Sequence, residues 1–126
     1  MINKDFTYAI VGASNNEFKY GHRVLKDLST AGYKVVPINL HEQEILGLKA
    51  YAKLSDYPGK FDVVDFVVPP AATEVVLKEA KQLGITKVWL QPGSESQAAI
   101  DFCQANGIDC IHDMCIMVQR RKLVIL

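Results

Sequence analysis

Short, uninterrupted apolar runs alternate along this chain with segments in which apolar residues recur every three to four positions. The first period marks buried strands and the second amphipathic helices. The run Tyr8-Ala9-Ile10-Val11 predicts a strand over residues 7–11, and the stripe through Val24, Leu25 and Leu28 predicts a helix over 21–31 that closes on Gly32. A second strand follows over 33–37. Residues 38–60 carry turn signals at Gly47 and Pro58-Gly59 and one helical turn near Leu54, so no longer element is predicted there. Residues 62–68 are β-branched or aromatic almost throughout and form the strongest strand; Pro69-Pro70 stops it, because proline cannot continue the hydrogen-bond ladder. A helix over 71–83 presents Val75, Val76, Leu77, Ala80 and Leu83 on one face and ends at Gly84, and a fourth strand covers 87–90. Ser94 or Ser96 caps a third helix through Ile100, Phe102, Cys103 and Ala105 to Asn106-Gly107, and a short strand covers 109–111. The tail over 118–126 is assigned no element.

Strands alternating with helices at this spacing require right-handed crossovers and a parallel sheet covered on both faces. The expectation is a single α/β domain with a three-layer Rossmann-like fold and a five-stranded parallel sheet in the order 3-2-1-4-5. Ligands of such sheets lie outside the carboxyl ends of the strands. That gathers the loops at 12–20, 37–41, 68–70, 91–94 and 112–115 along one rim. The length of 126 residues suits one domain with its own core. Lysine plus arginine equals aspartate plus glutamate at 14 each, so no net field draws the chain to nucleic acid or anionic lipid. The longest apolar runs fall far short of the ~20 residues a bilayer span requires, and the N-terminus is polar, so a soluble, cytoplasmic protein is expected. Three cysteines without C-x-x-C spacing build no disulfide framework and fit a reducing compartment.

The first strand ends abruptly in Gly12-Ala13-Ser14, the place where an α/β sheet receives phosphate. Dinucleotide enzymes carry G-x-G-x-x-G at this turn and an acid at the end of the second strand to grip the ribose. Here the second glycine is missing from its usual position, and Pro37-Ile38-Asn39 stands where the acid is expected. Backbone N–H groups of Gly12, Ala13 and Ser14 still suit phosphate oxygens, and Lys19 and Arg23 suit further phosphate charge. A ligand with a diphosphate and one more phosphate fits that inventory.

The ordered set Val11-Gly12-Ala13-Ser14, Val35-Val36-Pro37-Ile38-Asn39, Leu46-Gly47, Val63-Val64-Asp65 leading to Val68-Pro69-Pro70, Trp89-Leu90-Gln91-Pro92-Gly93 and Asp113-Met114-Cys115-Ile116-Met117-Val118 resembles the stand-alone CoA-binding domain proteins. These are similar to the N-terminal domain of the succinyl-CoA synthetase alpha subunit. The resemblance implies that CoA or an acyl-CoA lies across the strand ends. Gly12, Ala13 and Ser14 would meet phosphate, and Pro37 and Asn39 would flank the nucleotide. Val68, Pro69 and Pro70 would line the adenine side, and Pro92, Gly93 and Ser94 would approach the pantetheine arm. Leu40 and Met114 depart from the residues common in relatives. The synthetase's phosphohistidine belongs to a later domain outside these residues, so no ligase activity is carried over.

Each of these residues also has a plainer reading. Gly12 serves a tight turn, Pro69-Pro70 a strand stop, Lys19 and Arg23 solvated helix-entry charge, and Trp89 and Cys103 the core. Cys110, His112 and Cys115 give C-x-H-x-x-C without a fourth ligand, which argues against zinc. Cys115 is read either as a buried packing residue or, on the rim, as a sulfur close enough to the CoA thiol for a mixed disulfide. No catalytic triad is legible. The expected function is non-catalytic CoA binding. An NAD(P)-dependent oxidoreductase and a ligand-free interaction module remain as alternatives, and a homodimer or another protein partner is open through the apolar tail.

Overall fold

The apolar run at residues 7–11 becomes a strand buried along its last four positions, and the sheet is arranged around it. In the computed structural model, which describes residues 1–124, the chain runs β1 (Thr7–Val11), α1 (Tyr20–Thr30), β2 (Lys34–Ile38) and the hairpin strands β3 (Glu44–Ile45) and β4 (Leu48–Lys49). A 3-10 turn (Leu54–Asp56) follows, then β5 (Val63–Phe66), α2 (Pro70–Gln82), β6 (Lys87–Leu90), α3 (Gln97–Ala105), β7 (Asp109–Ile111) and α4 (Ile116–Val124). The main sheet is parallel throughout, in the order β2-β1-β5-β6-β7.

The five-stranded parallel sheet and Rossmann-like layering agree with the sequence reading, but the strand order does not. Counted along the chain, the five main strands lie 2-1-3-4-5 rather than 3-2-1-4-5. The position beyond β2 that a third strand would occupy is taken by Tyr51. It bridges Ile38 in parallel, donates its N–H to the Pro37 carbonyl at 3.0 Å and accepts from the Asn39 N–H at 2.9 Å. Residues 39–60 build no crossover helix on that side, so the chain returns past β2 and lays β5 against β1. There all four of its residues are buried.

Each face of the sheet is closed by two helices. Ala9, Val64 and Val88 pack with Leu77 and Ala80 of α2 and Cys103 of α3, while Tyr8, Ile10, Val63 and Trp89 pack with Val24, Leu25 and Leu28 of α1 and Ile116 of α4. A fully buried leucine of this kind contributes roughly 1.5–3 kcal/mol through the apolar area it removes from water. Local signals set the helix ends. Pro70 opens α2 at the first helical position, where a missing N–H does no harm. Of the two candidate serines, Ser96 is the one that caps α3, its hydroxyl accepting from the Ala99 N–H at 3.0 Å. The segment given no element from sequence is helical as α4. Its Arg120 makes a two-pronged ion pair with Asp27 of α1 at 2.7 and 2.9 Å, and Arg121 joins at 3.0 Å. Burial raises the Asp27 carboxyl's pKa, but the two guanidinium groups outweigh it and hold the carboxyl below its ordinary range. Leu123 is half exposed, while the last two residues of the apolar tail, Ile125 and Leu126, lie outside the described residues. Among the described residues no helix is long and apolar enough to cross a membrane.

Candidate functional site

The turn after β1 is built by two interlocked glycines. Gly12 has φ +99°, and a Cβ there would stand 2.1 Å from the Val67 carbonyl oxygen. A Cβ on Gly21 would stand 2.0 Å from the Gly12 carbonyl oxygen, so the first turn of α1 rests directly on the strand end. Gly21 thus performs the close helix–strand packing that the third glycine of a dinucleotide turn provides, four residues later than a G-x-G-x-x-G reading looks for it. The signal was a glycine at the head of the first amphipathic stripe. Gly12 is therefore required by backbone approach, whatever it does for a ligand.

Between the glycines the loop is tied down from several sides. Asn39 donates its side-chain N–H to the Ala13 carbonyl at 2.8 Å, while its own carbonyl oxygen accepts from the His41 and Glu42 N–H groups. His22 Nδ1 meets the Ser14 carbonyl at 2.8 Å, and the Ser14 hydroxyl accepts from the Asn16 N–H at 3.0 Å. Asn15 holds the Glu42 carboxylate at 2.7 Å. Among the described residues the backbone N–H groups of Ser14 and Asn15 donate to no protein acceptor. They are available donors on a braced loop beside the start of α1.

Next to this loop a cleft of about 540 Å³ opens at the carboxyl ends of β1 and β2 against α2. That volume lies within the usual range for small-molecule pockets. Its walls are mostly apolar, from Val11, Ile38, Leu40, Val68, Val75 and Val76, with Lys53, His41 and Glu79 among the polar lining. Glu79 is already engaged, accepting from the Leu54 N–H at 3.1 Å and the Ser55 hydroxyl at 3.0 Å, which fastens the 3-10 turn to α2.

Three of the sequence-selected residues, Gly12, Asn39 and Val68, line this one cleft. Ala13 and Ser14 form its adjoining turn. Pro69 and Pro70 follow Val68 into α2 and stand outside the lining, and Pro37 lies buried within β2. Pro92 and Gly93 are exposed on the next loop along the rim, whereas Ser94 is buried and accepts from the Val68 N–H at 3.1 Å, joining the β5 and β6 loops. Lys19 stands exposed at the residue before α1 and makes no side-chain capping bond. Arg23 lies apart from the cleft, in a recess with Asp27 and Arg120. Lys53, Leu40 and Val75 were missed from sequence, because nothing local in residues 38–60 or on the outer face of α2 announces a shared wall.

A second group of polar residues lies on the α1 and α4 side of the rim. The Tyr20 hydroxyl is 2.6 Å from Cys115 Sγ, and Gln91 Nε2 points at the same sulfur from 3.7 Å. Below them Asp65 shares its register with Ile10 and Trp89; it is fully buried, and neither carboxyl oxygen has a hydrogen-bond partner. Burial, reinforced by the nearby Cys115, pushes the Asp65 carboxyl's pKa well above its ordinary value and favours the neutral acid. The charge inside the run Val63-Val64-Asp65-Phe66 was the sequence signal for it. The C-x-H-x-x-C side chains take separate partners: Cys110 meets Cys103, His112 meets Asp113, and Cys115 meets Tyr20.

An α/β sheet with available amides at its first turn and an apolar cleft beside its switch point is the framework of a Rossmann-like domain. Residues 6–121 match the family described as the CoA binding domain, and the chain belongs to that family. It is 38% identical over 81 residues to the alpha subunit of ADP-forming acetate–CoA ligase II of Pyrococcus furiosus, covering 64% of this chain and 18% of that subunit. The chain thus spans less than a fifth of that relative. The protein YneT of Bacillus subtilis is 30% identical over 110 residues, covering 87% of this chain and 82% of YneT. The solved structure of a conserved hypothetical protein from Pyrococcus furiosus superimposes with a TM-score of 0.87 at 43% identity, covering 90% of this chain and 98% of the other.

Proposed function

We propose that this chain binds coenzyme A or an acyl-CoA at the carboxyl ends of its strands and acts as a non-catalytic binding or regulatory protein. The observation that carries the reading is the juxtaposition of the available Ser14 and Asn15 amides with the 540 Å³ apolar cleft, in a member of the CoA binding domain family. In this reading the diphosphate sits on the 13–15 turn, with Lys19 at the helix entry. The adenine enters the cleft between Leu40, Val68 and Val75. The pantetheine arm runs along the rim past Pro92, Gly93 and Ser94 toward Cys115. The Asn39 side chain braces the turn and presents no acid to a ribose, which favours CoA over NAD(H).

Calorimetric titration with CoA, acetyl-CoA and NAD(H) tests the reading. Saturable binding of the CoA compounds is expected. The variant Ala72→Trp, on the half-buried surface of α2 that lines the cleft, should weaken binding about tenfold or more while the protein stays folded. Saturation by NAD(H) with none by CoA would sink the proposal. Gly12 is unsuited to this test, because any side chain there collides with the Val67 backbone before a ligand is involved.

A further inference from the structure

The binding reading brings the pantetheine arm toward Cys115 but assigns no role to the partly buried polar group around it, Tyr20, Gln91 and Asp65. Cys115 immediately precedes α4, and its carbonyl accepts from the Val118 and Gln119 N–H groups, so its sulfur stands at the electropositive start of a nine-residue helix. Two side-chain donors converge on that sulfur. Tyr20 is one: burial, and then its contact with Cys115, push the phenol's pKa upward, so it keeps a proton that it can donate to the sulfur 2.6 Å away. Gln91 is the other, and its orientation is fixed because its Oε1 accepts from the Ile116 N–H at 3.0 Å. Beneath them Asp65 is fully buried and unpartnered, and its acid form places no negative charge under the sulfur from β5. A buried carboxyl without a partner lowers the stability of the fold, which marks this spot as kept for something other than packing.

We propose that Cys115 is a thiol–disulfide exchange site for small disulfides of the CoA class, with Tyr20 and Gln91 holding its sulfur above the Asp65 carboxyl. The Cys115 sulfur attacks one sulfur of the disulfide. A Cys115–CoA disulfide bond forms, the original sulfur–sulfur bond breaks, and the departing CoA thiolate takes up the proton that Cys115 gives up. The disulfide itself is the oxidant, so no other co-reactant is needed. The other two cysteines are poor competitors: Cys103 is buried in the core out of reach of a disulfide, and its thiol, with burial adding to it, pushes Cys110 upward toward an inert thiol. Only the choice of a CoA disulfide rests on the binding reading above.

The test is intact-mass and peptide-mapping analysis of the full chain exposed separately to CoA disulfide and to glutathione disulfide. One adduct per chain is expected, on Cys115, formed faster with CoA disulfide and absent in Cys115→Ser. Tyr20→Phe should give the same adduct about tenfold more slowly, as loss of one hydrogen bond to the attacking sulfur implies, with an unchanged thermal midpoint. An adduct on Cys103 or Cys110, labelling of Cys115 only in denaturant, or a Tyr20→Phe rate equal to wild type would each overturn the proposal. Equal rates with the two disulfides would overturn the CoA assignment of this site, while calorimetry with reduced CoA judges the binding reading separately.

Discussion

The two faces of the sheet are packed by different rules. On the α2 and α3 side, Ala9, Val64 and Val88 meet Leu77, Ala80 and Cys103, and the polar exception is the Thr73 hydroxyl, buried without a partner. On the α1 and α4 side, Asp65, Gln91, Tyr20 and Cys115 interrupt an otherwise apolar layer, and α4 is fastened to α1 through Asp27 and Arg120. The first face follows the stability rule of a continuous core. The second sets a buried acid and a sulfur beneath the rim, a local departure of the kind that marks sites rather than scaffolds.

The largest effect should come where the two faces meet at the turn. Gly21→Val places a side chain against the Gly12 carbonyl, and loss of the cooperative unfolding transition by circular dichroism is expected. On the apolar face, Leu77→Ala should lower stability by about 3 kcal/mol in urea unfolding, through lost transfer energy plus the cavity left behind. The other face should answer with the opposite sign. Asp65→Val should raise stability at neutral pH by on the order of 2 kcal/mol, the desolvation penalty of an unpaired buried polar group. Because burial raises the folded pKa of Asp65, this residue's contribution to wild-type stability should be most favourable below about pH 4, where the unfolded carboxyl is also protonated, and should diminish as pH rises toward the folded value. A flat profile for this contribution in the valine variant checks the assignment; an Asp65→Val protein less stable than wild type contradicts it.

Arg120→Ala should cost about 1.5 kcal/mol by leaving the half-buried Asp27 with Arg121 alone. Here the folded pKa is lowered, so that contribution is present above about pH 4 and is lost as pH falls through the folded value. Ser96→Ala removes the α3 cap and should cost about 1 kcal/mol, read as the smallest shift in the urea midpoint of the series.

Much of the scaffold was legible in the sequence because its signals are local. The strands at 7–11, 87–90 and 109–111 stand where the apolar runs put them, Gly32 closes the first helix as expected, and Ser96 is one of the two serines that the sequence offered as the cap of α3. Strand order was not legible, because Tyr51 occupies the β2 edge through hydrogen bonds that no periodicity announces. Nor was α4, whose Gln119-Arg120-Arg121-Lys122 stretch reads as solvated tail until Asp27, 93 residues earlier in sequence, supplies its anchor. In the cleft, Gly12, Asn39 and Val68 were accessible from turn chemistry and family likeness. Lys53 and Val75 join them only once α2 and residues 38–60 have folded against the same strand ends.

The bridge from Tyr51 to β2 also bears on how the molecule behaves among its neighbours. An unguarded outer strand invites another chain to extend the sheet, and on this flank the Pro37 carbonyl and Asn39 amide are already spent within the protein. The opposite flank is β7, three residues that begin with the charged Asp109. With one border occupied and the other so brief, the architecture resists runaway sheet-to-sheet association even when the protein is crowded.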